Sequence, residues 1–330
     1  MVPGLGQPIG GGDGFGRWHR LRTIDQVAEA IPYDQVQVFQ LDINRLEVNL
    51  GFYACQGLQI LFSQSSAPLK VQGYRSPDYA HFSFSLSSHT ACRIAQGCRV
   101  SHLTMGGLRH DQEINIILPA DMIHVSLQVS QGLLREYLQA MQRFDLDQVI
   151  RDNHFLHLPQ TLPPLVTYLQ QFQQGVRQQP ESLRSPHQAQ LILDDLIPLV
   201  VNTIPPVGQA PAANLSGFAR YWLVREAEDY IMAHLQEPLT VKDLCQALHC
   251  SRRPLFYAFE EVFGVSPMVY LKARRLQAVK SVLQFADPDQ LEVMEVARRF
   301  GFWSSGHFAR DYQRCFGERP RDTLRQTPPL

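Results

Sequence analysis

Two short stretches near the C-terminus share one frame: Val262-Phe263-Gly264-Val265-Ser266-Pro267 and Cys315-Phe316-Gly317-Glu318-Arg319-Pro320, each Phe-Gly-x-x-Pro, set 53 residues apart. The repeat extends upstream of both endings. Val241, Leu244, Cys245 and Leu248 fall at i, i+3, i+4, i+7, the apolar stripe of a short amphipathic helix, and Val293, Val296, Ala297 and Phe300 repeat that spacing. A second helix follows in each copy. Leu255, Phe259 and Val262 form its packing face in the first copy, matched at the same offset by Phe308, Tyr312 and Cys315. What faces away is free to touch something else.

The punctuation between these patterns is that of a helix-turn-helix unit. Thr240-Val241-Lys242-Asp243 has the form of a capping box, and Ser251 and Ser304 stand where the second helices need an N-cap. His249-Cys250 and Gly301-Phe302-Trp303 leave room for a tight corner. The second copy departs at Glu292, which occupies the cap position that Thr240 holds in the first. With Pro267 suited to a first helical position, 266–283 is expected as one connecting helix, roughly 25 Å long at the usual rise per residue. The first unit is thus expected at about 240–263 and the second at about 292–316.

These residues resemble the C-terminal DNA-binding domain of the AraC/XylS family of bacterial transcription regulators. The resemblance rests on Leu239-Thr240-Val241-Lys242-Asp243-Leu244, on Ser251 with Leu255 and Phe259, and on Phe263-Gly264-Val265-Ser266-Pro267 with Arg275-Leu276. It is carried most strongly by Val296-Ala297, Gly301-Phe302, Phe308, Tyr312, Phe316-Gly317 and Pro320. It covers about a third of the chain and implies two units that read successive major-groove faces of double-stranded DNA. A second helix laid in the major groove presents its N-terminal and outward residues to base edges. In the first unit that set is Ser251, Arg252, Arg253, Phe256 and Tyr257; in the second it is Ser304, Ser305, Gly306, His307, Ala309 and Arg310. Arg253 and Arg310 suit guanine, and Phe256 or Tyr257 a thymine methyl or sugar edge. Family members often carry Arg where Tyr257 stands, so base choice in the first unit does not transfer.

Ordinary structural roles compete for several of these residues. Phe256, Tyr257 and Trp303 also suit core packing. Arg252, Arg298, Arg299, Arg314, Arg321 and Arg325 suit either solvent or phosphate. Cys245, Cys250 and Cys315 read as small buried hydrophobes. Charge leans towards DNA only gently: from Thr240 onward 14 Lys and Arg face 10 Asp and Glu, against 16 and 21 in the residues before it.

At 330 residues, 45% hydrophobic and 18% charged, the chain is long enough for two domains. The uncharged, Pro- and Ala-rich run beginning Asn202-Thr203-Ile204-Pro205-Pro206 marks a linker over 202–216, between a domain at 17–201 and the DNA-binding domain at 217–330. The Gly- and Pro-rich residues 1–16 read as a flexible tail. Between tail and linker, Leu46–Tyr53, Leu58–Gln64, Leu69–Tyr74, His81–Leu86, Glu113–Leu118 and Ile123–Val129 are short apolar or alternating runs, the mark of an antiparallel sheet or barrel. After Gln131 the spacing turns helical through Leu165, Leu169, Phe172 and Ala189 to Val201. The expected class is therefore α+β: a β-rich, cupin- or jelly-roll-like domain with following helices, then an all-α domain of two helix-turn-helix units.

Resemblance implies that the β-rich part senses a small-molecule effector or forms a homodimer, and that the whole is an activator working with RNA polymerase. Tyr53, Phe62, Tyr74, Phe82 and Phe84 sit at alternating positions where they either line a cavity or pack a core, core being the stronger expectation. An N-terminal domain that only dimerises or contacts proteins is the alternative, and a metal-dependent barrel enzyme with an appended reader is a third. For that third reading His102, His110 and Glu113 are the nearest approach to a metal set, but they lack a His-x-His pair; His154-x-x-His157 lies in a Pro-bounded stretch. Gly-x-Ser-x-Gly, phosphate-loop and dinucleotide fingerprints are missing, so neither an enzyme nor a cofactor is expected. The six Cys form no Cys-x-x-Cys pair, and there is no secretory signal or long apolar run. These features point to a cytoplasmic protein at the bacterial nucleoid, with no membrane partner.

Overall fold

The computed structural model describes residues 15–31, 36–87, 92–108, 113–178, 183, 185–209, 219–287 and 290–325. The N-terminal half contains strands β1 (Phe15–Leu21), β2 (Gln37–Gln40), β3 (Val48–Cys55), β4 (Leu58–Ser65), β5 (Leu69–Tyr74) and β6 (Tyr79–Ser85), with helix α1 (Ile24–Ala30) after β1. It continues with β7 (Arg93–Ala95), β8 (Cys98–Val100), β9 (Thr104–Gly106), β10 (Glu113–Leu118) and β11 (His124–Ser130). Helices α2 (Gln131–Ala140) and α3 (Leu146–Asp152), strand β12 (Phe155–His157), and helices α4 (Leu162–Gln178) and α5 (Pro186–Thr203) complete it. Strand β1 begins at Phe15, inside the stretch expected as a tail; residues 1–14 lie outside the described residues. Likewise Asn202 and Thr203, expected in the linker, complete α5.

The strands form two antiparallel sheets. One runs β1-β3-β4-β11-β6-β9-β12 and the other β2-β5-β10-β7-β8. Period-two alternation decides what each face of the long sheet meets. Tyr53, Phe62, Phe82 and Phe84 are fully buried in the core that this sheet makes with Leu165 and Leu169 of α4 and Leu193 and Leu196 of α5. Phe172 of α4 meets Tyr53 edge to face at 5.1 Å. The intervening residues Gln59, Leu61 and Ser63 of β4 point the other way, into the space between the sheets.

The C-terminal part is helical: α6 (Ala219–Ala233), α7 (Val241–Ala247), α8 (Arg252–Phe263), α9 (Pro267–Gln284), α10 (Val293–Arg299), α11 (Ser305–Phe316) and α12 (Pro320–Arg325). The duplicated Phe-Gly-x-x-Pro frame acts here as a helix stop joined to a helix start. Phe263 and Phe316 are buried, Gly264 and Gly317 take the left-handed conformation at φ 70° and 75°, and Pro267 and Pro320 open the next helix. Thr240 and Asp243 make the reciprocal capping box. Ser251 and Ser304 occupy the N-cap positions with extended backbone, but neither side chain makes a cap hydrogen bond. Those two hydroxyls are exposed, a departure from their expected capping role.

The two parts dock through the outer face of the five-stranded sheet. Lys70 of β5 is buried and ion-paired with Glu228 of α6 at 2.5 Å, and the Tyr270 hydroxyl of α9 donates to the same carboxylate at 2.6 Å. Around this cluster Asn115 donates to the Tyr221 hydroxyl, Arg274 lies over the Phe39 ring, and Gln277 donates to the Gln40 carbonyl. Ile94 and Ile117 of the sheet join the same core as Tyr221, Phe259 and Tyr270.

Phe259 stacks edge-on against both Phe263 and Tyr270 and has no solvent exposure, so Phe259→Ala should cost about 3–5 kcal/mol of stability. Phe316→Ala should do the same to the second unit. Denaturant unfolding measures both, and an unchanged midpoint would contradict the core assignment.

Candidate functional site

Helices α8 and α11 each bury one face and leave the opposite one open. On α8, Leu255, Phe259 and Val262 are buried, while Arg252, Arg253 and Tyr257 are exposed and Phe256 is half-buried. On α11, Phe308, Tyr312 and Cys315 are buried, while Ser305, Gly306, His307, Ala309 and Arg310 are exposed. All the sequence-expected contact residues therefore reach solvent at the N-terminal ends and outer faces of their helices. Trp303 is 76% exposed, so it belongs to the surface of the second corner and not to the core. The Arg252 guanidinium lies over the Phe256 ring at 5.0 Å and that of Arg253 over Tyr257 at 5.4 Å. These aromatic rings hold two flexible cations against the helix, which lowers the entropy of presenting them.

The two units are not built alike. In the first, Glu261 near the end of α8 pairs with Arg99 of β8 at 3.2 Å and with Arg220 of α6. In the second, Asp311 on α11 pairs with Lys272 of α9 at 2.5 Å. The connecting helix α9 packs against both α8, through Tyr270 with Phe259 and Phe263, and α11, while α8 is further tied to β8 through Glu261 and Arg99.

A family model described as a helix-turn-helix domain matches residues 244–326. The chain is 41% identical over 106 residues to a probable thc operon regulatory protein of Rhodococcus erythropolis, covering 32% of each chain. It is 32% identical over 97 residues to the XylDLEGF operon transcriptional activator of Pseudomonas putida, covering 29% of this chain and 30% of that one. A solved probable AraC family transcriptional regulator from Rhodopseudomonas palustris CGA009 is 39% identical, covers 32% of this chain and 98% of that chain, and has a TM-score of 0.31. The C-terminal third of the chain is thus a helix-turn-helix domain of the AraC/XylS type. Its match spans about a third of the length of the two curated relatives. The helix-turn-helix units are thus those of AraC/XylS-type DNA-binding regulators.

Away from the AraC/XylS-type domain, the two sheets enclose a cavity of about 460 Å³. One wall is apolar, built from Val38, Val71, Ile116 and Leu118 of the five-stranded sheet. The facing wall is a polar ladder across β4, β11 and β6. Gln128 stands opposite both Gln59 and His81, and Ser126 opposite both Leu61 and Ser83. Of the aromatic residues expected as lining candidates, Tyr74 lines this space, whereas Tyr53, Phe62, Phe82 and Phe84 pack against the helices. Alternating Gln, Ser and His resemble a solvent-facing edge in the sequence, so these wall residues were not legible there.

Arg93 of β7 is fully buried, reaching across to donate to the Ser83 and Thr104 carbonyls at 2.8 and 3.1 Å. Its Nε and Nη1 find no partner among the described residues. Burial, with the Arg93 charge adding to it, pulls the His124 imidazole down to about 3, and His124 lies 3.3 Å from the Ser83 hydroxyl. Of the expected metal set, His102 and Glu113 are described and His110 lies outside the described residues. Among the described residues no group of three His, Cys, Asp or Glu is placed to hold a metal, and no helix is long and apolar enough to cross a membrane. His157 instead sits 3.4 Å from the Thr104 hydroxyl.

Because folded His124 stays neutral from its ordinary value of 6.5 down to about 3, the unfolded chain binds the extra proton in that window. Stability from this group is complete above the ordinary value and is lost as pH falls below it. Melting temperature should drop between about pH 7 and pH 5, and His124→Gln should make that drop shallower. An identical slope in both chains would exclude His124 as the cause.

Proposed function

We propose that the protein is a sequence-specific transcription regulator, an activator, that reads two major-groove segments of double-stranded DNA with α8 and α11 and takes a small-molecule effector between its sheets. The observation carrying the DNA reading is the pair of exposed helix faces, repeated at the 53-residue offset and joined by α9. In this reading Arg253 donates bidentately to guanine in one segment and Arg310 in the other. Ser251, Arg252, Ser304, Ser305 and His307 stand at the helix N-termini, where backbone amides and the dipole favour phosphate. Phe256 and Tyr257 offer thymine contacts, while Gly306 and Ala309 allow close approach. The P. putida relatives named as operon activators support the activating sign. RNA polymerase is the partner such an activator engages, and the nucleoid its place of work.

The cavity supports the effector over a purely dimerising N-terminal domain, since a module that only dimerises has no use for a space of about 460 Å³ between its sheets. One apolar wall and one wall of neutral hydrogen-bonding groups suit a ligand with an apolar body and a polar edge. A homodimer remains compatible with this reading.

Selection of bound sequences from a random DNA library should return a motif of two blocks. Arg253→Ala should relax one block and Arg310→Ala the other, each costing about 1–3 kcal/mol at the selected site with melting unchanged. Equal loss on every sequence would make them phosphate contacts, and no binding at low salt would refute the DNA reading. A ligand for the cavity should raise the melting temperature in a thermal-shift screen.

A further inference from the structure

The two helix-turn-helix units differ in length by one residue, and the difference falls at the second corner. Val241, Leu244, Cys245 and Leu248 of the first scaffold helix recur as Val293, Val296, Ala297 and Phe300, an offset of 52. Leu255, Phe259 and Val262 of the first recognition helix recur at an offset of 53. Both scaffold helices end alike. In the first, His249 is left-handed at φ 48°, and the amides of His249 and Cys250 donate to the Gln246 and Cys245 carbonyls at 3.3 and 3.0 Å. In the second, Gly301 is left-handed at φ 80°, and the amides of Gly301 and Phe302 donate to the Arg298 and Ala297 carbonyls, both at 3.0 Å. Cys250 is followed at once by Ser251, at the N-cap of α8, whereas Trp303 intervenes between Phe302 and Ser304, at the N-cap of α11. Trp303 therefore has no counterpart in the first unit.

The inserted residue is held out from the surface by its neighbours. Phe302 before it packs on the core with its ring 5.2 Å from that of Phe308, and the Ser304 carbonyl after it accepts from the Phe308 amide at 2.9 Å. Gly301 lies against the Arg275 guanidinium, where a Cβ would come within 3.1 Å of Nη1, and Arg275 Nε donates to the Leu235 carbonyl at 2.9 Å. The corner is fixed on both sides, yet Trp303 itself stays largely in water. A large indole on a rigid corner forfeits the burial that Trp normally finds. The face of α11 beside it offers no such group, since its Phe and Tyr residues are all buried, while α8 carries Phe256 and Tyr257 towards its outer side.

We propose that Trp303 is a DNA-backbone contact: its indole covers a deoxyribose at the edge of the second major-groove segment, and its Nε1–H donates to the adjoining phosphate. The proposal rests on the DNA reading of α11, whose N-terminal amides favour phosphate. Trp303 is the residue next to that N-cap, so it lies where the chain leaves the groove and meets the strand edge. The ring buries apolar surface against the sugar, and the N–H is a neutral donor, so the contact neither reads a base nor releases a counterion. The second unit thereby gains from its corner the contact that its lean recognition face lacks.

The test uses the full chain and a duplex selected from a random library, without RNA polymerase. Trp303→Ala should bind this duplex about tenfold more weakly than wild type, and Trp303→Phe, which keeps a ring but loses the N–H, about threefold more weakly. Melting temperature should not change, because an exposed side chain contributes little to folding. The loss should be equal on scrambled duplexes, and the slope of affinity against salt should stay that of the wild type. The emission that Trp303→Phe lacks should be shielded from acrylamide once duplex is added. Wild-type affinity in Trp303→Ala would overturn the proposal, and a loss of transcription alone would assign the indole to a protein partner instead. A loss confined to particular sequences would overturn the backbone contact in favour of base reading. Should Trp303→Ala melt early, Trp303→Phe and the shielding decide, and unshielded emission beside tight binding overturns the contact. A wild-type chain that binds no duplex at low salt would refute the DNA reading itself and the contact with it.

Discussion

The buried contact of Lys70 with Glu228 and Tyr270 is the constraint on which the arrangement of the whole chain depends. Burial pulls the Lys70 ammonium down, and the Glu228 carboxylate opposes that pull. Neither charge tolerates loss of the other: removing one partner of a buried pair typically costs about 3–5 kcal/mol, although an apolar pair of the same shape is often no less stable. The value of such a pair is positional. It admits one placement of α6 and α9 on the five-stranded sheet and penalises every neighbouring one, which apolar contacts from Ile94 and Ile117 alone would not do.

From that contact outward, both DNA-reading units acquire fixed positions by different means. Glu261 at the end of the first recognition helix is held by Arg99 and Arg220. The second unit is ion-paired to the connecting helix through Lys272 with Asp311, and that helix is anchored in turn by Lys280, which pairs with Asp25 of α1 at 2.5 Å. A duplicated sequence has thus become two readers with distinct supports, the first rich in Arg and aromatic groups and the second small and lean. Their exposed faces differ in chemistry, and each unit is linked to the β-rich part by its own ion pair, Glu261 with Arg99 and Lys280 with Asp25.

Local signals made the helical third legible with little error. The connecting helix expected over 266–283 runs from Pro267 to Gln284, and the expected contact residues are exposed on α8 and α11. Capping boxes, left-handed glycines and N-terminal prolines act over a few residues, so their meaning survives without tertiary context. The principal strands, Leu58–Ser65 and Glu113–Leu118 among them, were legible for the same reason. The three-residue strands β7, β8, β9 and β12 were not, because three residues carry too little alternation to distinguish a strand from a turn. Ser251 and Ser304 show the converse, with cap positions legible and side-chain bonds absent.

The sequence by itself determined the two helix-turn-helix units, their outward residues and the family to which they belong, since each follows from spacing along one helix. Tertiary structure alone decided which face of each strand is inside. Alternation states that Phe62 and Phe82 lie opposite Gln59 and His81, but it is silent on whether the polar face meets water or a second sheet. Here a second sheet closes over it, so Gln59, His81, Ser83 and Gln128 become the wall of a cavity. The same closure turns Lys70 towards Glu228, a partner 158 residues away in sequence. Such pairing lies beyond any local pattern, because it is selected by burial of charge between surfaces that exist only once both domains have folded.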